Sequence, residues 1–187
     1  YSAEWEAEAA KRGLPNKKNT PAALPALVAE KNIKLMEDFG VLTKVEMESR
    51  YEVEMEHYAK IINIEALTML EMARKQLLPA VNSYMSELAN TAASKLAVSE
   101  SISVRSETKT LTKLSDDADA MSDAIDTLQQ VVDAAEALTS ESEKAVAFHD
   151  TVIPAMDALR AAADAAETIC GEDYWPLPSY SKMLYYV

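Results

Sequence analysis

Residues 61–73 decide the fold, and they read Ile-Ile-Asn-Ile-Glu-Ala-Leu-Thr-Met-Leu-Glu-Met-Ala. Their apolar side chains fall on every side of a helix, whereas a surface helix has one apolar stripe and a polar back. We therefore expect this apolar segment to be covered by other helices of the chain, by a neighbouring subunit or by a further domain. Ten residues are expected to have structural or interface roles: Ile61, Ile62, Asn63, Ile64, Glu65, Leu67, Met69, Met72, Pro79 and Trp175.

The apolar segment lies in the middle of one long helix predicted over residues 43–98. Thr43 is a good N-cap, and Glu46 three residues later completes a capping box. The stretch contains no glycine. Its one proline, Pro79, is expected to kink the helix because proline removes a backbone hydrogen bond and clashes with the preceding turn.

A second long helix carries the most regular apolar spacing in the chain. Its apolar residues repeat at alternating steps of three and four, which is typical of a coiled-coil seam: Leu111, Leu114, Ala118, Met121, Ile125, Leu128, Val132 and Ala135. The opposite face is acidic, with Asp116, Asp117 and Asp119 among its residues, and we expect it to be solvated. Turns are predicted near residues 99–106 and 139–141.

The composition predicts an all-α protein, because glycine is scarce and no stretch alternates apolar and polar residues over a strand's length. We expect an elongated helical bundle or hairpin of long antiparallel helices, with a heptad, coiled-coil-like arm. Lead-in helices are predicted over residues 1–42, the long-helix bundle over 43–171, and an aromatic, proline-rich strap over 172–187. The strap either pins the chain end in a hydrophobic groove or holds a ligand against Trp175.

Charge and composition restrict the partners and the compartment. The net charge of −13 argues against nucleic acid, whose binding requires basic side chains to neutralise phosphates. The single cysteine, Cys170, allows no internal disulfide, and there is no apolar run long enough to span a membrane. We expect a cytoplasmic protein without a signal peptide. The chain opens at Tyr1 without methionine, as a cut-out domain or a processed product would.

Two groups of polar residues are candidates for chemistry. Glu54 and His57 form a Glu-x-x-His pair, which is half of a di-iron site, but the other histidine, His149, has Val146 where the second glutamate would stand. We therefore expect His57 to be a half-exposed helix residue and predict no catalytic, cofactor-binding or metal residue. Asn63, Glu65 and Glu71 lie inside the apolar segment, where we expect the carboxylates to be buried and to need partners. They would act either as an acid/base pair or as hydrogen-bonding groups that fix helix packing.

Several ordered motifs resemble the C-terminal helical region of type III glutamine synthetases. They include Ile-Asn-Ile-Glu-Ala-Leu-Thr-Met at 62–69, Met-Ala-Arg-Lys-Gln at 72–76 with Pro-Ala-Val at 79–81, and Val-Ile-Pro-Ala-Met-Asp-Ala-Leu-Arg at 152–160. The closing Tyr-Trp-Pro-x-Pro-x-Tyr at 174–180 and the opening Tyr-Ser-x-Glu-Trp at 1–5 belong to the same likeness. The resemblance covers nearly the whole chain and is weakest over residues 100–148.

The resemblance implies a parent enzyme that makes L-glutamine from L-glutamate and ammonia with ATP and magnesium or manganese. In that family the catalytic residues belong to a portion upstream of this region, so none is transferred to this chain, which is expected to be inactive alone. Its expected partners are the catalytic domain of the same polypeptide and neighbouring subunits of a homo-oligomer. The alternative is a stand-alone helical interaction or scaffold protein, and stoichiometric iron would favour a di-iron bundle instead.

Overall fold

The computed structural model describes residues 2–185, with Ala3 described by its backbone alone, and this part of the chain contains helices and turns without a strand. The predicted all-α class is therefore confirmed. Tyr1 of the predicted lead-in and residues 186–187 of the predicted strap lie outside the described residues. The α-helices are α1 (Ala3–Lys11), α2 (Thr20–Ala23), α3 (Glu30–Asp38), α4 (Lys44–Met72), α5 (Leu78–Val98), α6 (Arg105–Glu136), α7 (Glu141–Ala147), α8 (Ile153–Glu167) and α9 (Tyr180–Leu184).

The chain forms two compact units. Unit 1 consists of Tyr1–Ile62 and Ala135–Asp150, and unit 2 consists of Asn63–Ala134 and Thr151–Val187. The prediction divided the chain in sequence order into a lead-in, a bundle and a strap. Each observed unit instead combines two segments that are far apart in the sequence.

Unit 1 has a small core built by α4 and α7. Met47, Met55 and Ala59 of α4 are buried, as is Ala145 of α7. The hydroxyl groups of Tyr51 in α4 and Ser142 in α7 lie 2.9 Å apart and share a hydrogen bond. Helix α2 also packs against α7, so this short lead-in helix belongs to the same core.

Unit 2 contains the α5–α6 hairpin. Helix α5 ends at Val98 and α6 begins at Arg105, so a short turn reverses the chain. Near the turn, Lys95 forms an ion pair with Glu107. Farther from it, Arg74 donates a hydrogen bond to Gln129 over 2.9 Å. These two contacts define an antiparallel register.

The seam predicted in α6 is buried, with the half-buried Leu111 at its beginning. The fully covered positions are Leu114, Met121 and Leu128, and Ala118, Ile125, Val132 and Ala135 are nearly so. Asp117 was expected to be exposed on the acidic face, and this prediction was wrong, because the residue is only 5% exposed. It lies three residues after Leu114 and four before Met121, so it shares their buried face, where Lys113 forms an ion pair with its carboxylate.

Pro79 and Pro154, the prolines of the longer helices α5 and α8, each follow a π-helical segment. The first segment is Ala73–Leu77, directly before Leu78 and Pro79, and the second is Phe148–Val152, directly before Ile153 and Pro154. Proline lacks an N–H and collides with the carbonyl group one turn earlier, and a widened π turn relieves both problems. The chain therefore stays helical through each proline.

The apolar segment is covered on one side only by this chain. Ala66, Leu70 and Ala73 are at most 2% exposed, whereas Ile61, Ile64 and Leu67 are 41%, 65% and 48% exposed. Of the three expected covers, the helices of this chain therefore supply one side only. Cover of the exposed side by a neighbouring subunit or a further domain remains a prediction. The physical reason is that α4 packs through one stripe with several small side chains, which leaves the opposite isoleucine and leucine side chains in water.

Candidate docking groove

Unit 2 carries an open groove with a volume of about 490 Å³. One wall comes from the end of α4 and the π segment behind it, the other comes from α8, and Trp175 and Leu177 of the strap also line the groove. The apolar lining consists of Ile64, Met69, Met72, Ala73, Leu77, Met156, Leu159, Ala163, Trp175 and Leu177. The polar lining consists of Glu65, Thr68, Arg160, Asp164 and Glu167.

Helical spacing explains how these residues reach the same surface. On α4, Glu65, Met69 and Met72 follow one another at steps of four and three, which places them along one face. On α8, Met156, Leu159 and Ala163 do the same. The methionines are half-buried, and the buried Ala73 and Ala163 are too small to fill the space between the walls. An apolar floor therefore remains open.

The rim of the groove has more acidic than basic groups. Its guanidinium group, on Arg160, donates from Nε to both carboxylate oxygens of Asp164, at 2.9 and 3.1 Å. This hydrogen bond and the charge of Asp164 raise the pKa of Arg160 above its ordinary value. Glu65 and Glu167 add two further carboxylates to the rim. The groove is thus suited to an occupant with an apolar face and positive charge at its edge.

The strap is attached to unit 2 through its aromatic residues. The rings of Tyr174 and Tyr84 have centroids 5.2 Å apart, at an interplanar angle of 43°. Gly171 permits this approach, since a Cβ atom there would lie 3.2 Å from the Tyr84 ring. The half-buried Trp175 lines the groove, and its indole nitrogen is buried without a hydrogen-bond partner among residues 2–185.

The structure brings half of the ten expected interface residues to the groove. Those that line it are Ile64, Glu65, Met69, Met72 and Trp175. Of the others in unit 2, Leu67 and Pro79 are exposed and Asn63 is half-buried, and none of them lines the groove. Ile61 and Ile62 belong to unit 1. Their roles at an interface remain predictions.

The α8 wall is the part of the groove that sequence reasoning missed. Met156, Ala163, Asp164 and Glu167 were not among the expected interface residues, although the helical spacing of residues 146–169 marks a returning helix. That spacing separates apolar from polar sides. It does not indicate which other helix stands opposite, and this information would have been needed to find the groove.

The candidates for chemistry lie apart from one another or on the surface. Glu54 and His57 are both exposed on α4 in unit 1. Glu65 and Glu71 are exposed as well, so the expectation of buried carboxylates was wrong. Glu71 instead accepts a hydrogen bond from Lys75 one turn away, at 2.8 Å, which lowers the pKa of its carboxyl group. Their side chains point to water because the buried stripe of α4 runs along the other side.

Two further observations concern metal ions and membranes. Among residues 2–185, no three His, Cys, Asp or Glu side chains come together as they would around a metal ion. Burial raises the pKa of the Cys170 thiol, so this side chain stays protonated near neutral pH. None of the helices in the described part of the chain is both long and apolar enough to cross a membrane.

Comparison with known proteins gives a consistent set of relatives. Residues 1–96 match the family model described as "Glutamine synthetase C-terminal domain". The chain is 37% identical over 185 residues to a glutamine synthetase of Butyrivibrio fibrisolvens and 31% identical over 195 residues to the type-3 glutamine synthetase of Dictyostelium discoideum. A glutamine synthetase of Bacteroides fragilis (strain YCH46) is 27% identical over 189 residues. Each alignment covers 99% of this chain and 26% of the relative, so the chain spans about a quarter of the length of these curated proteins.

Proposed function

Since this chain belongs to the glutamine synthetase C-terminal domain family, we propose that it is the helical accessory domain of a type III glutamine synthetase. The parent reaction would join L-glutamate and ammonia at the cost of ATP, and release L-glutamine, ADP and phosphate. The observation that carries the proposal is the extent of the match, which covers 99% of this chain but 26% of each relative.

In this proposal the chain supports assembly, and the rest of the polypeptide performs the chemistry. Magnesium or manganese and ATP belong to the parent reaction, and we assign them to the remaining portion, where the family's catalytic residues lie. The proposed partners are that catalytic portion and neighbouring subunits of a cytoplasmic homo-oligomer. The exposed Ile64 and Leu67 and the open groove of unit 2 support an interface role, because large exposed apolar surfaces mark interaction sites.

The test compares three proteins made from the same gene: the full-length product, the product truncated before this segment, and the segment alone. Glutamine formation is measured with ATP, glutamate, ammonia and magnesium, and the mass of each species is measured in solution. We expect the full-length protein to be active and oligomeric, the truncated protein to lose its assembly, and the segment to show no turnover.

Two results would contradict the proposal. Turnover by the segment alone would place chemistry within it. A full-length product without glutamine synthesis would favour the alternative of a helical interaction or scaffold protein.

A further inference from the structure

The groove of unit 2 is open in this chain although its floor is apolar. Its methionines, Met69, Met72 and Met156, are half-buried, and Ile64 at its edge is 65% exposed. Covering this floor would stabilise a complex, because it removes apolar surface from water. The flexible, polarisable side chains of methionine adapt to an incoming apolar face.

We propose that this groove receives the C-terminal end of a helix from the remaining portion of the full-length protein, with apolar side chains on the methionine floor and basic side chains at the acidic rim. The proposal rests on the proposed function, since it takes the catalytic portion of the same gene product as the partner.

The charges of the rim select the chemistry of the occupant. The guanidinium group of Arg160 is already paired with Asp164, while Glu65 and Glu167 add carboxylates to the rim. Lysine and arginine are favoured in the last turn of a helix, because its C-terminus carries a partial negative charge. The C-terminal end of a helix therefore presents the positive charge that this rim lacks.

The indole group of Trp175 supports the same occupant. Its N–H is buried without an acceptor among residues 2–185, and a buried donor without an acceptor destabilises the protein. The last four carbonyl groups of a helix have no partner within the helix. Such a carbonyl oxygen is the kind of acceptor that the indole N–H lacks.

The relatives are long enough to contain such a helix outside the segment. The chain spans 26% of each curated relative, so about three quarters of a protein of that length lies outside the segment. A second copy of the segment is a different source of a helix end, and the cross-linking experiment below distinguishes it from the remaining portion.

The experiment uses the full-length protein and mild oxidation by hydrogen peroxide, with each methionine sulfoxide quantified by mass spectrometry. The internal standards are Met121, which is 0% exposed, and Met183, which is 55% exposed. We expect Met72 and Met156 to oxidise slowly, like Met121, because the docked helix covers them. Oxidation at the rate of Met183 would show an open groove and overturn the proposal.

Charge reversal tests the rim without disturbing the core. The double variant Glu65→Lys with Glu167→Lys changes two exposed side chains, and Glu87→Lys changes an exposed residue of α5 outside the groove. We expect the double variant to lose the protection of Met72 and Met156, while Met121 stays protected and Glu87→Lys behaves like the wild type. If Met72 and Met156 stay protected from oxidation in the double variant, the acidic rim does not hold the docked helix.

Photo-crosslinking identifies the occupant. A photoreactive benzoylphenylalanine in place of the exposed Thr68, which lines the groove, is expected to attach to a peptide from outside residues 1–187, with lysine or arginine near the attachment point. Attachment to a second copy of residues 1–187 would overturn the proposal, as would protected methionines without any protein adduct, which would indicate a small apolar ligand.

Glutamine formation by the same wild-type preparation separates the docking proposal from the proposed function. Absence of glutamine formation refutes the proposed function, whereas glutamine formation by a protein with an open groove refutes the docking proposal alone.

Discussion

Single side chains determine where α4 begins. The carboxylate of Glu46 accepts hydrogen bonds from the backbone N–H of Thr43 at 2.7 Å and from its hydroxyl group at 2.8 Å, and the Glu46 N–H donates back to that hydroxyl over 3.3 Å. This is the capping box that the spacing of the two residues predicted, and it is confirmed. The hydrogen bond from the Thr43 backbone, followed by that from its side chain, lowers the pKa of Glu46 below its ordinary value.

The capping box predicts a pH-dependent effect of the substitution Glu46→Gln. A lowered folded-state pKa contributes stability above the unfolded-state pKa, and this contribution is lost as the pH falls through the folded-state value. We expect the variant to unfold at lower urea than the wild type at neutral pH and at the same urea once Glu46 is protonated, because glutamine resembles the neutral acid. The exposed Glu52→Gln is the control. An equal difference at both pH values would refute the role of the charged form.

At the scale of a helix, the row of side chains that it buries determines how it packs. In α6 the seam residues predicted from steps of three and four are the covered ones, because a helix that packs along one side buries the residues that recur there. Asp117 shows the limit of this rule. Its charge predicted exposure, but its position in the helix places it beside the seam, where Lys113 supplies the opposite charge.

The seam predicts a large difference between two identical substitutions. Leu128 is 0% exposed in α6, whereas Leu96 is 43% exposed near the end of α5. We expect Leu128→Ala to lower the free energy of unfolding by about 2–5 kcal/mol, because it leaves a cavity. Leu96→Ala is expected to change it by about 0.5 kcal/mol or less. Urea denaturation followed by circular dichroism measures both, and equal losses would contradict the assignment of the seam.

At the scale of the whole chain, charge and exposed apolar surface act in opposite directions. The net charge of −13 makes copies of the chain repel one another at neutral pH. Ile64 and Leu67, together with the exposed aromatic residues of the strap, would favour association. Repulsion weakens as the pH approaches the isoelectric point of about 4.6, and the apolar surface then dominates.

This balance predicts that the 187-residue chain associates as the pH falls from neutrality toward its isoelectric point. Light scattering measures the effect. We expect the double variant Ile64→Gln with Leu67→Gln to associate less than the wild type at every pH in this range, since it keeps the charge and removes apolar surface. The matched control, Ser122→Gln with Thr127→Gln, alters exposed polar residues of α6. Equal association of the two double variants would show that these apolar residues do not drive it.

The sequence by itself determined the helical class, the capping box at Thr43 and the seam of α6. These features depend on residues three or four positions apart, so local spacing contains the necessary information. The sequence also determined that residues 61–73 are apolar on more sides than a helix buries when it packs along one face.

Only the tertiary structure decided which side of that segment is covered, that Glu65 and Glu71 face water, and that α8 stands opposite Met69 and Met72 to form the groove. The reason is physical: every side of residues 61–73 is apolar, so hydrophobicity alone favours no orientation over another. Packing against helices far away in the sequence selects the side that is buried. The groove lies beside the side chains that this packing leaves exposed.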